Sequence, residues 1–327
     1  MRKSTGLFGI FAAVLLALAW VAPAQAQATR TWISGVGDDA NPCSRTAPCK
    51  TFAGAISKTA TGGEIDCLDP GGFGAVTITK SITFDCGGGI GGQVGSILVA
   101  GTNGININAA NVIVKIRNMT INGIQASGNP GLSGIKFSQG SALIVEHVGI
   151  FGFGGTGGNN GGVDFEPSTA AKLAMLDVEV QYGLADGILI KPASGGSAKA
   201  TLVRVSGMVN NGAGLRVDST NVTSGLGSNV AVFDCNFTGN ANGVSTVSPP
   251  GTVSASVEMT NSVVSQNTST GAVANGANAF ISIGGSSFSN NPTGILSLNS
   301  GLIKSFGDNY FVNGTNGTPT APNFTKL

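Results

Sequence analysis

Ile116-Arg117-Asn118-Met119-Thr120-Ile121 sets a pattern that returns at near-constant intervals. It recurs as Val145-Glu146-His147-Val148-Gly149-Ile150, Met175-Leu176-Asp177-Val178-Glu179-Val180 and Leu202-Val203-Arg204-Val205-Ser206-Gly207. It continues as Val232-Phe233-Asp234-Cys235-Asn236-Phe237 and Met259-Thr260-Asn261-Ser262-Val263-Val264, and then as Ile283-Gly284-Gly285-Ser286-Ser287-Phe288 and Phe306-Gly307-Asp308-Asn309-Tyr310-Phe311. The first, fourth and sixth columns are mainly apolar or small. The third is Asn, His, Asp, Arg, Asp, Asn, Gly, Asp. Side chains of a strand alternate between faces, so two inward positions three residues apart require a bend between them. Asn and Asp tolerate left-handed backbone, which places that bend in the third column and predicts a stacked side-chain ladder there.

A second signal shares the period. Glycine followed by a small or aliphatic residue appears at Gly104-Ile105, Gly134-Ile135, Gly162-Val163, Gly187-Ile188, Gly214-Leu215, Gly243-Val244, Gly271-Ala272 and Gly294-Ile295. Turns rich in Asn and Gly follow the first motif, as at Asn122-Gly123, Asn210-Asn211-Gly212, Gly239-Asn240 and Asn290-Asn291. Each period thus holds short strands separated by turns, one coil of a solenoid. The expected fold is all-β, a right-handed parallel β-helix of about nine coils and on the order of 45 Å long. Helical repeats do not fit strands full of Val, Ile, Thr and Gly.

Outside the repeat, Arg2 and Lys3 precede an apolar run from Leu7 to Val21, followed by Ala24-Gln25-Ala26. This reads as a secretory signal peptide over 1–26, cut after Ala26 or Ala28. The run is shorter than the roughly 20 residues of a spanning helix, so export to periplasm or medium is expected rather than anchoring. Residues 27–62 read as an N-terminal disulfide loop and capping helix, 63–312 as the β-helix, and 313–327 as a C-terminal cap or tail. In Pro48 to Thr59, Phe52, Ala55, Ile56 and Thr59 share one helix face, suited to covering the first coil.

Composition narrows the partners. Charged residues make up 10% of the chain, the net charge is +1 and hydrophobic residues reach 41%, with 52 glycines. Nucleic acid needs a basic patch that is absent here, and disorder does not accord with so much apolar residue. Cys43, Cys49, Cys67 and Cys86 suit two disulfides in an oxidising compartment, favoured as Cys43–Cys49 and Cys67–Cys86. Cys235 falls in the fourth column as a small buried hydrophobe. No metal site is expected from the cysteines, because the single histidine, His147, is remote from them in sequence. His147 reads as a turn-column residue.

The opening Gly37-Asp38-Asp39, with Pro42-Cys43, Pro48-Cys49-Lys50-Thr51-Phe52 and Ala55-Ile56, precedes coils punctuated by Asn and Gly. Together they resemble the secreted bacterial right-handed β-helix proteins of the pectate lyase-like superfamily. The resemblance covers nearly the whole mature chain and implies contact with polysaccharide. It does not by itself imply an activity, since this fold hosts lyases, hydrolases, epimerases, adhesins and proteins without known chemistry. Polygalacturonase-like members carry an Asp pair and a Gly-His-Gly. Here no Gly-His-Gly occurs, and Asp38-Asp39 lies ahead of the coils. The signature segments of the calcium-using lyases are not visible either.

The strand after each repeat glycine nevertheless collects ionisable residues. Its first outward column reads Asn106, Lys136, Asp164, Leu189, Arg216, Ser245, and its second Asn108, Ser138, Glu166, Lys191, Asp218, Val247. The resemblance places a substrate groove along this face. Lys136, Asp164, Glu166, Lys191, Arg216 and Asp218 are therefore candidate ligand-binding residues. Asp164, Glu166, Lys191, Arg216 and Asp218 are candidate catalytic groups, for a lyase or epimerase in which carboxylates polarise a sugar and Lys191 or Arg216 holds a uronate or acts as base. The competing expectation is a set of cross-strand ion pairs of alternating sign. A noncatalytic saccharide-contacting role fits both and is the primary expectation. A structural or adhesive rod, using an outward Leu176–Val203–Phe233 stripe or having that stripe covered by the loops 191–199 and 218–229, is the other alternative. No cofactor is called for. Calcium stays open, because oxygen ligands drawn from different coils leave no linear motif.

Overall fold

A computed structural model describes residues 27–320 except 89–91, 94, 126–127 and 155–159. The expected signal peptide, 1–26, and the last residues of the tail, 321–327, lie outside the described residues. The chain forms a parallel solenoid of about 10 turns. One nine-stranded sheet begins each coil after its repeat glycine, and an eighteen-stranded sheet carries the inner motif. Strands pair in parallel with the equivalent strand one coil away, as Ile113–Asn122 does with Ala142–Phe151 and that strand with Ala170–Gln181. Crossovers of this kind are right-handed for the same steric reason that strands twist.

The bend sits where the motif requires it. Asn118, His147, Asp177, Arg204, Asp234 and Asn261 all take left-handed backbone, with φ between 50° and 59°, and Gly285 has φ 55°. One left-handed residue reverses the alternation, so Ile116 and Met119, or Met175 and Val178, both point inward and are buried.

The ladder expected in this column lies elsewhere. The third-column side chains form only short inter-coil links, His147–Asp177–Arg204 at 3.4 and 2.6 Å across three coils and Asn118 to Asp85 at 2.8 Å. The continuous ladder runs one turn later, through Asn210, Asn240, Asn267, Asn291 and Asn313. From Asn240 on, each Oδ1 accepts both the amide and the side-chain N–H of the preceding asparagine, at 2.8–3.3 Å, and Asn210 Oδ1 accepts the Gly183 amide at 2.9 Å. The reason is solvent access. The third column stands on the outer corner, where water satisfies polar groups, whereas Asn210, Asn240, Asn267 and Asn291 are buried and must satisfy one another.

The repeat glycine also has a packing cause. A methyl group added at Gly104 would stand 2.7 Å from the Gly134 carbonyl oxygen, and one at Gly134 2.6 Å from that of Gly162. Those carbonyls accept the amides of Ile105 and Ile135 at 2.9 and 3.0 Å. Only glycine lets successive coils approach this closely.

At the N-terminus, the helix Phe52–Lys58 is capped by the Thr51 hydroxyl, which accepts from the Gly54 amide at 2.9 Å. Phe52 stacks on Phe84 at 4.4 Å and meets Phe73 edge-on at 5.8 Å. A strand unmarked in the sequence pattern, Ala28–Ile33, precedes the helix and pairs with Thr59–Cys67. Cys43 pairs with Cys49 and Cys67 with Cys86, each with Cα atoms 4.6 Å apart. Cys235 is unpaired and buried among the coils, and burial pushes its thiol up to about 11.

Replacing Asn240 by Ala would strand buried donors on Asn210 and the Gly207 carbonyl, at about 1–3 kcal/mol each. An unfolding free energy lowered by about 3 kcal/mol, read from denaturation curves, is expected. Asn261→Gly, at an exposed left-handed corner, is expected to stay within about 1 kcal/mol of wild type.

Candidate functional site

The register aligns the first outward column as read from the sequence. Asn106 pairs with Lys136, Lys136 with Asp164, Asp164 with Leu189, Leu189 with Arg216, and Arg216 with Ser245. Glu166 and Lys191 extend the next column, their amides bonding to the Phe137 and Phe165 carbonyls at 2.8 and 2.9 Å. Pointing away from the coil interior does not make these residues open to solvent, however. Asp164 and Asp218 are 0% exposed and Leu189 2%. Over Asp164, chain entering its own strand and the neighbouring one closes the face. The Ser133 hydroxyl donates to Asp164 Oδ2 at 2.5 Å, and Gly161 is so close that a Cβ there would stand 3.1 Å from Asp164 Oδ1.

The six candidate residues fall into two groups. In the first, Lys136 Nζ lies 2.5 Å from Glu166 Oε2 and 3.9 Å from Asp164 Oδ2. In the second, Asp218 receives Arg216 at 2.8 Å and Lys191 at 3.8 Å, and Arg216 reaches Asp186 at 3.9 Å. Asp186 was not among the sequence candidates. It occupies the turn just before Gly187, outside the strand whose alternation was read, and accepts the Ala213 amide at 2.6 Å. The alternation of sign between coils is thus realised mostly as ion pairs. The heads left partly in water are Lys136, Lys191, Glu166 and, most of all, Arg216, whose side chain is 38% exposed.

Burial decides how the acids titrate. Asp164 is pushed up to about 7 by desolvation, against the Ser133 hydroxyl and Lys136, which favour its ionised form. Desolvation also raises Asp186. Burial opposes ionisation of Asp218 as well, but the Thr220 hydroxyl and amide with Arg216 and Lys191 outweigh it and hold the carboxyl below its ordinary value. Asp164 Oδ1, Glu166 Oε1 and Arg216 Nε are buried atoms with no hydrogen bond. Asp164 and Glu166 share Lys136, whereas Asp218 is held by two other cations. Among the described residues no group of three His, Cys, Asp or Glu could hold a metal ion.

Two further surfaces were only partly legible. Leu176, Val203 and Phe233 stack in register as expected, but Phe233 is 47% exposed, so the neighbouring loops leave it open. Near the N-terminus, Arg30 pairs with Glu64 and Asp66, and Arg117 with Glu64 and Asp85. Asp66 is raised to about 6, chiefly by burial and by its neighbour Glu64. This network was missed because Arg30, Glu64, Asp66 and Asp85 all precede the first coil that displays the motif, where Arg117 lies.

No family model matches the chain, and no curated protein matches it in sequence. Among solved structures it is similar to a pectate lyase, at 14% identity and a TM-score of 0.55, over 90% of this chain and 81% of that one. It is also similar to a lacto-N-biosidase from Eubacterium ramulus, at 10% identity and a TM-score of 0.50, over 90% of this chain and 67% of that one. The chain has a parallel β-helix fold similar to theirs. At these identities the likeness carries the architecture alone.

The raised Asp164 makes a signed expectation. Its folded pKa lies above its unfolded one, so the folded state holds the extra proton between about pH 4 and about pH 7. Stability of the wild type relative to Asp164→Asn is flat below that window, falls as pH rises through it, and is flat above. The total fall is roughly 4 kcal/mol as an upper value. Paired denaturation curves across that range measure it.

Proposed function

We propose that the mature protein is exported and binds acidic polysaccharide without cleaving it, through the outer face of the nine-stranded sheet. The carrying observation is the layering of charge there: Asp164 and Asp218 are sealed, while the heads of Lys136, Lys191 and Arg216 stand above them, partly in water. Such fixed cations, held by carboxylates beneath, suit the carboxylate of a uronate without the entropic cost of ordering loose side chains. The name of the similar pectate lyase lends support to that substrate class. The two disulfides support export. No helix among the described residues is long and apolar enough to cross a membrane.

A lyase or epimerase is the second reading, favoured by one observation: Asp164 titrates near neutrality, as a general acid or base should. Its complete burial under Ser133 weighs against it, since a base must reach the proton it takes.

The deciding experiment incubates the mature protein with polygalacturonate and alginate, with and without calcium. Retention in affinity electrophoresis and no new chain ends by mass spectrometry are expected. Binding should weaken with salt, and by about tenfold in a Lys191→Ala/Arg216→Ala variant. Unsaturated products would instead establish the lyase reading.

A further inference from the structure

The opposite wall of the solenoid holds a groove that the charged face does not explain. It lies on the outer surface of the eighteen-stranded sheet and crosses four coils, along Ser197–Val203, Ser228–Phe233, Ala255–Thr260 and Ala279–Gly284. Its volume is about 520 Å³, within the range of small-ligand sites. Register places Lys199, Asn229, Ser256 and Phe280 in one axial column, and Ala231 and Glu258 in the next. Ala231 makes the hollow, a small exposed side chain between the longer Thr201 and Glu258.

We infer that this groove is a second saccharide site, for an uncharged oligosaccharide lying along the solenoid axis. The chemistry of the lining sets the class. Lys172 and Lys304 lie outside it, in register with Lys199 and Ser282. The lining holds one ammonium, Lys199, and one carboxylate, Glu258, with no ion pair between them, so the lining itself carries no net charge. Between them Asn229 offers its amide donors, its oxygen already accepting from the Ser256 hydroxyl at 2.7 Å. Phe280 is half-buried and supplies an apolar wall for the C–H face of a sugar ring. An amide, a carboxylate acceptor, hydroxyls and one aryl wall match alternating hydroxyl and C–H surfaces.

Geometry sets the direction. Coils follow one another at about 4.8 Å, so a ligand on the axis meets a new side chain in each column at every coil. That step is close to the advance of one sugar unit along an extended chain, and longer than the roughly 3.3 Å step of an extended peptide. These strands are also paired on both sides, which leaves no backbone edge to recruit a peptide strand. The site is separate from the uronate-binding face, and either can fail without the other.

Titration calorimetry with cellohexaose, xylohexaose, mannohexaose and trigalacturonate tests it. At least one neutral hexasaccharide should bind the wild type. Ala231→Trp, which fills the hollow, and Phe280→Ala should each weaken that binding by at least about tenfold, and the isosteric Glu258→Gln several-fold. Lys191→Ala/Arg216→Ala should leave it unchanged while weakening trigalacturonate. Should Ala231→Trp lower the denaturation midpoint, Phe280→Ala and Glu258→Gln decide. No binding of any neutral hexasaccharide, or undiminished binding by the groove variants, overturns the inference. So does a dimer in sedimentation that the groove variants dissolve, which would give the groove to a second copy of the chain.

Discussion

Close approach of the coils at the repeat glycines governs the rest of the structure. From Gly104 to Gly271 each of these glycines would put a Cβ 2.5–3.0 Å from the carbonyl oxygen of its counterpart one coil on. With that contact fixed, the following strand has one register, and its outward residues line up coil by coil. The ion pairs of the charged face are a result of that alignment. Lys136 meets Asp164, and Arg216 lies beside Leu189 and Ser245, because the glycine column leaves no freedom to slip.

The same alignment limits what the face can do. Alternating signs on adjacent coils neutralise one another, and chain entering its own strand and the neighbouring one closes over Asp164. A buried acid that titrates near neutrality is often read as a catalytic group. Here desolvation is the first cause of the shift, the Glu166 charge adds to it, and the group is fully buried. Groups at the rim, Arg216 above all, retain the access that binding requires.

The fold was legible because inward positions repeat. Asn118 through Asn261 could be assigned to a bend from a single polar column, and Cys235 to the core from its place in another. Asn210, Asn240 and Asn291 were seen as turn residues and Asn267 was not, but composition does not tell which of two turns faces inward, so the continuous ladder was assigned to the wrong one. Alternation similarly identifies which way Asp164 points from its strand. It says nothing of what lies on top, because Ser133 and Gly161 belong to irregular chain with no period. Asp186 and the Arg30–Glu64–Asp66 network escaped for the same reason, being set by turns and by coils that depart from the motif.

The asparagine ladder makes the solenoid a structure of interchangeable length. Each rung from Asn210 to Asn313 engages the rungs next to it and the coil just before, with no partner farther along the axis. A coil that brings its own glycine and its own asparagine satisfies both neighbours wherever it is spliced in. Over this stretch the chain can grow or shorten by whole coils, and the span of any surface carried on it changes in steps of one rung.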